Sequence, residues 1–173
     1  RIMRGLLKSS SMTNNIETKI VPIILARGGS KGFPDKTLKE IGGVSLLERA
    51  IRTTIEAVGD VYFSSDAYLE EAESFGAKII VRPPKLAQDD TPAIKVVKHA
   101  MRHIGNVDAV LLINLCCPLL QKHDIIEALE LFKTPNTDSV TSVFEDFSSH
   151  PSKVCYLVNG KVFPINTGYE FKT

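Results

Sequence analysis

The stretch IVPIILARGGSKGFPDK, residues 20–36, joins an unbroken aliphatic run to a loop rich in glycine and positive charge. Residues 20–25 show no alternation of polar and apolar side chains, which is typical of a short strand buried in a parallel sheet. In open α/β sheets, ligands bind beyond the carboxyl ends of the strands. The stretch therefore predicts an α/β fold with a ligand site directly after its first buried strand.

Strand-like and helix-like segments alternate from residue 20 to about residue 143. This alternation indicates a mostly parallel, doubly wound (Rossmann-like) sheet with helices on both faces. We expect ligand-binding residues at three strand ends, in residues 26–36, 64–66 and 114–120. Further strands are predicted at residues 61–64, 78–81, 108–115 and 139–143, and helices at residues 45–57, about 66–75, 91–104 and 123–132.

Several residues carry signals for helix starts. Asp66 fits the N-cap of the helix that follows it, Thr91 fits another N-cap, and Pro92 fits the first helical position. We expect Asp89 and Asp90 to complement the start of that second helix. Its apolar stripe is predicted at Ile94, Val97, Met101 and Ile104.

The two ends of the chain depart from the alternating pattern. Residues 1–19 are basic and polar and predict a flexible N-terminal extension, and residues 20–143 predict the α/β domain. Within residues 144–173, the dipeptide Asn159-Gly160 between two apolar runs is a strong signal for a β-hairpin. We expect this hairpin to project from the main body.

Composition excludes several classes of function. The chain has 173 residues, of which 43% are hydrophobic and 24% charged, and its formal net charge is +1. Such a charge does not indicate general binding to nucleic acid or to a membrane surface, and no apolar run approaches the ~20 residues of a membrane span. Three cysteines, two of them adjacent, make a poor disulfide framework and favour a reducing cytosol. We expect Cys116 and Cys117 to be small, buried or half-buried residues.

The glycine-rich loop has the composition of an anion site. Gly28 and Gly29 leave the backbone open to a ligand, and consecutive N–H groups in such a turn can surround an anion. Side chains that favour phosphate follow at Arg27, Ser30, Lys31 and Lys36. The glycine spacing matches neither a P-loop nor a dinucleotide fingerprint. The alternative is a surface turn with solvated lysines.

This loop resembles the opening motif of the acylneuraminate cytidylyltransferase (CMP-N-acetylneuraminic acid synthetase) family, a group of nucleotidyltransferases whose pattern is roughly A-R-x-G-S-K-G-x-x-x-K-N. The chain matches it at Arg27, Ser30, Lys31, Gly32 and Lys36, and has Thr37 where the family usually has asparagine. The resemblance continues to Lys153 through GVSLLERAI, SSDAYLEEAESFGAKIIVRPPKLAQDDTPAI, DSVTSV and HPSK.

The resemblance implies an enzyme that activates a nine-carbon 2-keto sugar acid of the sialic acid type with CTP, giving a CMP-sugar and pyrophosphate. It implies Mg²⁺ as cofactor and a cytoplasmic homodimer, with residues 20–143 as the nucleotide-binding domain and residues 144–173 as the start of the dimerisation element. It gives catalytic roles to Arg27, Lys31 and Lys36, and a sugar site to Asn114 and Lys153. The nucleotide-binding residues that it implies are Gly28, Gly29, Ser30, Lys31, Lys36, Thr37 and Arg82.

The chain departs from the family pattern in three places. NLCCPLL, at residues 114–120, stands where the family has Q-P-T-S-P-L-R, and Ala93 replaces a small polar residue. An acidic D-x-D that binds magnesium in the family has no counterpart up to Thr173, so we expect an incomplete chain or a shortened relative. The metal ligands stay unknown, with Asp66 as one candidate. A legionaminic, pseudaminic or Kdo-like sugar acid, or a catalytically impaired nucleotide-binding or dimerisation module, remains the alternative.

Overall fold

The structure is a computed structural model that describes residues 2–5, 18–29, 34–143 and 155–164. The chain forms two compact units. One unit comprises Asn15–Lys122, and the other combines Arg1–Asn14 with His123–Thr173. None of the helices in the described ranges has the length and apolar character needed to cross a bilayer.

The described residues form ten strands and four α-helices. The strands are β1 (Ile2–Gly5), β2 (Ile20–Leu25), β3 (Glu40–Ile41), β4 (Val44–Ser45), β5 (Tyr62–Ser65), β6 (Lys78–Val81), β7 (Ala109–Ile113), β8 (Ser139–Ser142), β9 (Cys155–Val158) and β10 (Lys161–Pro164). The helices are α1 (Leu46–Val58), α2 (Leu69–Ser74), α3 (Ala93–Ile104) and α4 (Lys122–Phe132), and single 3₁₀ turns lie at Lys36–Leu38 and Pro84–Leu86.

The larger unit is built on a four-stranded parallel sheet in the order β6-β5-β2-β7. Ile24 of β2 pairs with Phe63 of β5 on one side and with Ile113 of β7 on the other. The predicted α/β fold with a parallel sheet is therefore confirmed. Because all four strands run the same way, their carboxyl ends lie at one edge of the sheet.

Helices cover both faces of this sheet. On one face, Ala100 of α3 packs in a buried cluster with Val21 and Ile23 of β2. Ile24 lies on the opposite face, because successive side chains of a strand alternate, and it is fully buried there. Helix α1, which contacts β2, contributes the fully buried Leu47 and further apolar side chains to the core.

Helix α3 differs from its prediction in start and in buried stripe. It begins at Ala93 with Pro92 as the N-cap residue, one position later than predicted. Its buried residues are Val96 and Ala100, whereas Ile94 is 54% exposed. The helix packs on the sheet through the small Ala100. The predicted stripe is based on large apolar side chains, so it does not include this alanine.

The smaller unit holds a second four-stranded sheet in the order β8-β1-β10-β9. Here Ile2–Gly5 forms a strand, although residues 1–19 are predicted as a flexible extension. Strand β8 pairs with β1 rather than joining the parallel sheet as predicted. The predicted hairpin is confirmed as β9 and β10, joined at Asn159 (φ 50°) and Gly160 (φ 75°). Two positive φ values are what a two-residue hairpin turn of type I′ requires.

Candidate functional site

A concave cavity of about 280 Å³ opens at the carboxyl ends of β2, β6 and β7 in the larger unit. This is the sheet edge at which the sequence predicts ligand binding. Loops after three strands and the 3₁₀ turn at Lys36–Leu38 supply its walls. The polar side chains in the described part of its lining include Arg27, Lys36, Thr37, Arg82, Asp89 and Asn114.

The described lining of the cavity is electropositive. It contains three cations, Arg27, Lys36 and Arg82, against one carboxylate, Asp89. A concave surface with excess positive charge concentrates anions, because its field lines converge in the cleft. The cavity is therefore suited to an anionic ligand.

Arg82 is the most buried of these cations, with 5% of its surface exposed. Its Nη2 donates to the carbonyl oxygen of Ser64 at 2.6 Å, while its Nε is buried with no hydrogen-bond partner in the described residues. Burial lowers the pKa of Arg82, and the neighbouring Arg27 adds to that effect while Asp66 opposes it. A buried donor without a partner is costly, so Arg82 is prepared for an acceptor that a ligand would bring.

Asn114 presents a hydrogen-bond donor to the cavity. Its Oδ1 accepts from the backbone N–H of Cys116 at 3.0 Å, which fixes the side chain in a local Asx turn. The oxygen is thereby engaged, and the Nδ2 amide remains as the group that can donate to a ligand.

Arg27 already has an anionic partner across the cavity, the carboxylate of Asp89. The prediction that Asp89 complements the start of α3 is wrong, because the first turn of that helix contains no acidic residue. A carboxylate and a phosphate use the same guanidinium donors, so this ion pair marks where a phosphate could bind.

The segment between β5 and α2 contacts the glycine-rich loop. Asp66 is predicted as an N-cap, but the N-cap residue of α2 is Tyr68, which makes no side-chain capping bond. Asp66 Oδ1 instead accepts from the backbone N–H of Gly28 at 2.9 Å. The Tyr68 hydroxyl donates to Asp35 Oδ1 at 2.8 Å. Long-range hydrogen bonds therefore replace the local cap.

Tyr68 is expected to titrate above the usual range of a tyrosine. Burial, followed by the hydrogen bond to Asp35 and nearby negative charge, raises its pKa from 10.0 to about 12. Because the folded pKa exceeds the unfolded value, the protonated hydroxyl stabilises the fold fully below pH ~10, and this contribution is lost as pH rises through about 12.

An ultraviolet absorbance titration of the four tyrosines checks this expectation. One tyrosine should ionise near pH 12, and Asp35→Ala should bring that step back toward the usual range. Four overlapping transitions near pH ~10 would contradict the Tyr68–Asp35 hydrogen bond.

Comparison with known proteins identifies the family of the chain. The family model described as cytidylyltransferase matches residues 21–153, which is well over half of the chain. The chain belongs to the cytidylyltransferase family. This assignment agrees with the family that the loop motif of residues 24–38 predicts.

Relatives of this chain include three N-acylneuraminate cytidylyltransferases. Enzyme A of Danio rerio is 33% identical over 139 residues, covering 78% of this chain and 32% of the relative. The enzyme of Streptococcus agalactiae serotype V is 29% identical over 140 residues, covering 78% of this chain and 34% of the relative. The enzyme of Escherichia coli O18:K1:H7 is 32% identical over 123 residues, covering 69% and 29%. The chain therefore spans about a third of the length of these relatives.

Two solved structures share the fold. A CMP:2-keto-3-deoxy-manno-octonic acid synthetase in complex with CTP aligns with a TM-score of 0.57 at 23% identity, covering 67% of this chain and 48% of that one. A cytidylyltransferase from Leptospira borgpetersenii aligns with a TM-score of 0.56 at 22% identity, covering 67% and 49%. At this level of identity, the likeness shows a shared fold.

The cavity brings together residues that are far apart in sequence. Five predicted site residues line it: Arg27, Lys36, Thr37, Arg82 and Asn114. Gly28 and Gly29 directly follow Arg27 but do not line the cavity. Ser30, Lys31 and Lys153 lie outside the described residues.

Sequence reasoning missed three features of the site. They are the ion pair of Asp89 with Arg27, the hydrogen bond that Asp66 accepts, and the hydrogen bond that Tyr68 donates. None of these contacts produces a periodic pattern in the sequence.

Cys116, predicted as buried or half-buried, is exposed in the cavity wall, and Cys117 and Cys155 are exposed as well. The turn that follows β7 carries both adjacent cysteines to the surface, and the turn residues around Pro118 could have indicated this.

Carboxylates are sparse in the described part of this site. No group of three or more histidine, cysteine, aspartate or glutamate residues there has the arrangement of a metal centre. Asp66 offers one carboxylate, of which Oδ1 already accepts from Gly28. The described residues therefore do not form a magnesium site on their own.

Proposed function

We propose that the chain binds CTP and takes part in activating a nine-carbon 2-keto sugar acid of the sialic acid type, with release of pyrophosphate. The observation that carries the proposal is Arg82, buried with an unpartnered Nε in a cavity that Arg27 and Lys36 also line. The names of the relatives support the sugar and the nucleotide.

The geometry suggests how the nucleotide lies. Arg27 and Lys36 would bind phosphate oxygens, because both are cations on the loop that follows β2. Arg82 would donate to the pyrimidine, whose O2 and N3 atoms are acceptors. When the triphosphate enters, Arg27 would either leave Asp89 or bind Asp89 and a phosphate at the same time.

The reaction needs positioning and charge neutralisation more than covalent chemistry from the protein. The anomeric hydroxyl oxygen of the sugar forms a bond to the α-phosphorus and gives up its proton to solvent water, and the bond from that phosphorus to the bridging oxygen of pyrophosphate breaks. Arg27 and Lys36 stabilise the negative charge on the phosphates. Asn114 would donate from Nδ2 to an oxygen of the sugar acid, with Lys153 as a second contact implied by the family motif.

Magnesium enters this proposal as an ion carried by the nucleotide. Mg²⁺ in such enzymes is held mostly by substrate phosphates and water, with one or two protein carboxylates. Asp66 is the candidate carboxylate among the described residues. When bound, the ion would neutralise phosphate charge.

Calorimetric titration with CTP, UTP, ATP and GTP tests the nucleotide part of the proposal. We expect CTP to bind more tightly than the other three, since the cavity would read the base through Arg82. Equal affinity for all four would remove base recognition from the account. Pyrophosphate release from CTP with N-acetylneuraminate, compared with Kdo, then tests the sugar class.

We also propose that the protein is a homodimer that associates through the region after Phe144. Val158 and Phe163 are 52% and 47% exposed on the β9–β10 hairpin. Phe163 pairs in register with Tyr156, two residues from Val158, so Val158 and Phe163 lie on the same face of the hairpin. An exposed apolar face of this kind is typical of a protein interface.

Multi-angle light scattering checks the proposed dimer. The chain should elute with twice its 19.0 kDa mass, and Phe163→Glu should shift it toward the monomer. The matched control is Cys155→Glu at an exposed position on the opposite face of the hairpin, which should leave the mass unchanged. A monomer mass at high concentration would contradict the proposal.

We place the protein in the cytoplasm as part of this proposal. Cys116, Cys117 and Cys155 are free, exposed thiols. Exposed thiols persist in reducing compartments, whereas oxidising ones favour disulfides.

A further inference from the structure

Arg27 and Lys36, two cations of the cavity, each follow or precede a residue that is hydrogen-bonded to the short segment 66–68. Arg27 directly precedes Gly28, whose backbone N–H donates to Asp66 Oδ1 at 2.9 Å. Lys36 directly follows Asp35, whose Oδ1 accepts from the Tyr68 hydroxyl at 2.8 Å. One turn between β5 and α2 therefore holds the backbone beside both cations.

Both residues of the Tyr68–Asp35 hydrogen bond have a strained backbone. Asp35 has a φ of 52° and Tyr68 a φ of 61°, in the left-handed region that residues other than glycine rarely adopt. Aspartate tolerates this region through local hydrogen bonds, but tyrosine has no such compensation. Strained residues of this kind persist where surrounding contacts hold them, and they concentrate at functional sites. The Tyr68–Asp35 hydrogen bond is a contact of that kind.

The hydrogen bond from the N–H of Gly28 to Asp66 depends on the absence of a side chain at Gly28. A Cβ at this position would lie 3.3 Å from the Cβ of Ala67 and 3.6 Å from Asp66 Oδ2. The close approach lets the N–H of Gly28 reach the Asp66 carboxylate. The missing side chain of Gly28 therefore allows contact with residues 66–68 as well as the close approach of a ligand to the backbone.

Asp66 and Tyr68 are not part of the cavity lining, so they influence the positions of Arg27 and Lys36 through Gly28 and Asp35. We propose that Asp66 and Tyr68 are positioning residues that hold Arg27 and Lys36 in place for the phosphates of the nucleotide. This inference rests on the proposed function. Backbone that is already held next to Arg27 and Lys36 does not have to be ordered when the ligand binds, so more of the interaction energy is retained as affinity.

A purely structural role predicts a different pattern of binding. If the two hydrogen bonds only stabilise the fold, their loss lowers the melting temperature and leaves the relative affinities for CTP and cytidine unchanged. If they position the cations, their loss weakens CTP specifically, because cytidine has no phosphates for Arg27 and Lys36 to bind. The ratio of the two dissociation constants therefore separates the two roles.

The test uses Tyr68→Phe, which removes only the hydroxyl, with Tyr62→Phe on β5 as the matched control. CTP affinity is measured by calorimetry, cytidine affinity by ligand-observed NMR, and the melting temperature of each variant is recorded. We expect Tyr68→Phe to weaken CTP about tenfold, the size of one hydrogen bond to a charged group, and to leave cytidine unchanged. Tyr62→Phe should change neither ligand.

Asp35 supplies a rescue experiment. Asp35→Asn keeps an acceptor for the Tyr68 hydroxyl and tolerates the left-handed backbone, so it should bind CTP at least as tightly as the unchanged chain. Asp35→Ala removes the acceptor and should weaken CTP. Removing a negative charge near a phosphate site would by itself strengthen binding, so a loss in Asp35→Ala must come from the missing hydrogen bond or from the left-handed backbone that residue 35 no longer holds.

The outcomes distinguish the inference from the function on which it rests. If the unchanged chain fails to bind CTP, the proposed function is wrong. If it binds CTP and Tyr68→Phe binds equally well, the positioning role is wrong. Equal losses for CTP and cytidine would also overturn it, and if Tyr68→Phe fails to fold, the Asp35→Asn and Asp35→Ala pair decides the question.

Discussion

Replacing Arg82 with methionine is expected to abolish CTP binding while making the folded chain more stable. Arg82 is 5% exposed, its Nε has no partner in the described residues, and the residue lines the cavity, so we expect its guanidinium to donate to a bound nucleotide. Two lost hydrogen bonds to a charged group, at ~1.5–3 kcal/mol each, correspond to a loss of roughly 100-fold or more in affinity.

The stabilising part of this expectation follows from the environment of Arg82. Burial lowers its pKa, which shows that the surroundings disfavour the charged form. Methionine fills a similar volume without a buried charge, and replacing buried charged groups by apolar ones of similar volume is often neutral or stabilising. The carbonyl oxygen of Ser64, which loses Arg82, still accepts from the backbone N–H of Ala26 at 3.2 Å.

Calorimetry and urea unfolding measure the two effects of Arg82→Met. The matched control is Arg102→Met on the exposed side of α3, outside the cavity, which should leave CTP binding unchanged. A variant that binds CTP normally would exclude Arg82 from the nucleotide site. A large loss of stability would show that the arginine serves the fold rather than the ligand.

Lys36→Ala is expected to weaken CTP binding about tenfold or more, whereas Lys39→Ala should be nearly neutral. Lys36 is half-buried in the cavity wall, while Lys39 is exposed and lies outside the lining. A charged hydrogen bond to phosphate in a partly dry site contributes ~1.5–3 kcal/mol, and a solvated charge contributes well under ~1 kcal/mol.

Titration at two ionic strengths measures both lysine variants. The loss in Lys36→Ala should persist at high salt, because a partly buried contact is screened less than an exposed one. Comparable losses from Lys36→Ala and Lys39→Ala would indicate diffuse attraction between the basic loop and the triphosphate.

The parallel sheet and the place of its ligand site could be predicted because both follow from local pattern. The aliphatic run of residues 20–25 is a strand within the bounds predicted, and the cavity opens directly after it. The position of a site at a strand end follows from the geometry of parallel sheets and requires no knowledge of side-chain contacts.

Features that join distant parts of the chain were missed. Strand β1 pairs with β8 and β10, and nothing in residues 2–5 themselves indicates those partners. Arg27 and Asp89 are 62 positions apart, and Asp35 and Tyr68 are 33 positions apart. Hydrophobic periodicity reports which face of an element is buried, but it does not report which polar side chains meet across loops.

Asp66 shows how a local expectation fails against a tertiary contact. An aspartate between a strand and a helix favours an N-cap, and that inference uses only neighbouring residues. In the fold, the N–H of Gly28 lies within reach and binds the same carboxylate. The Asp66 carboxylate could accept from the N–H groups at the start of α2 or from the N–H of Gly28. The close packing of Gly28 on Ala67 favours the hydrogen bond to Gly28.

A crystal structure of the chain with CTP tests the central claim most directly. We predict the cytosine ring within hydrogen-bond distance of the Arg82 guanidinium, and the phosphates against Arg27 and Lys36, with the Arg27–Asp89 ion pair opened or shared. A nucleotide bound outside this cavity, or one whose phosphates face Arg82 while its base faces Lys36, would contradict the account.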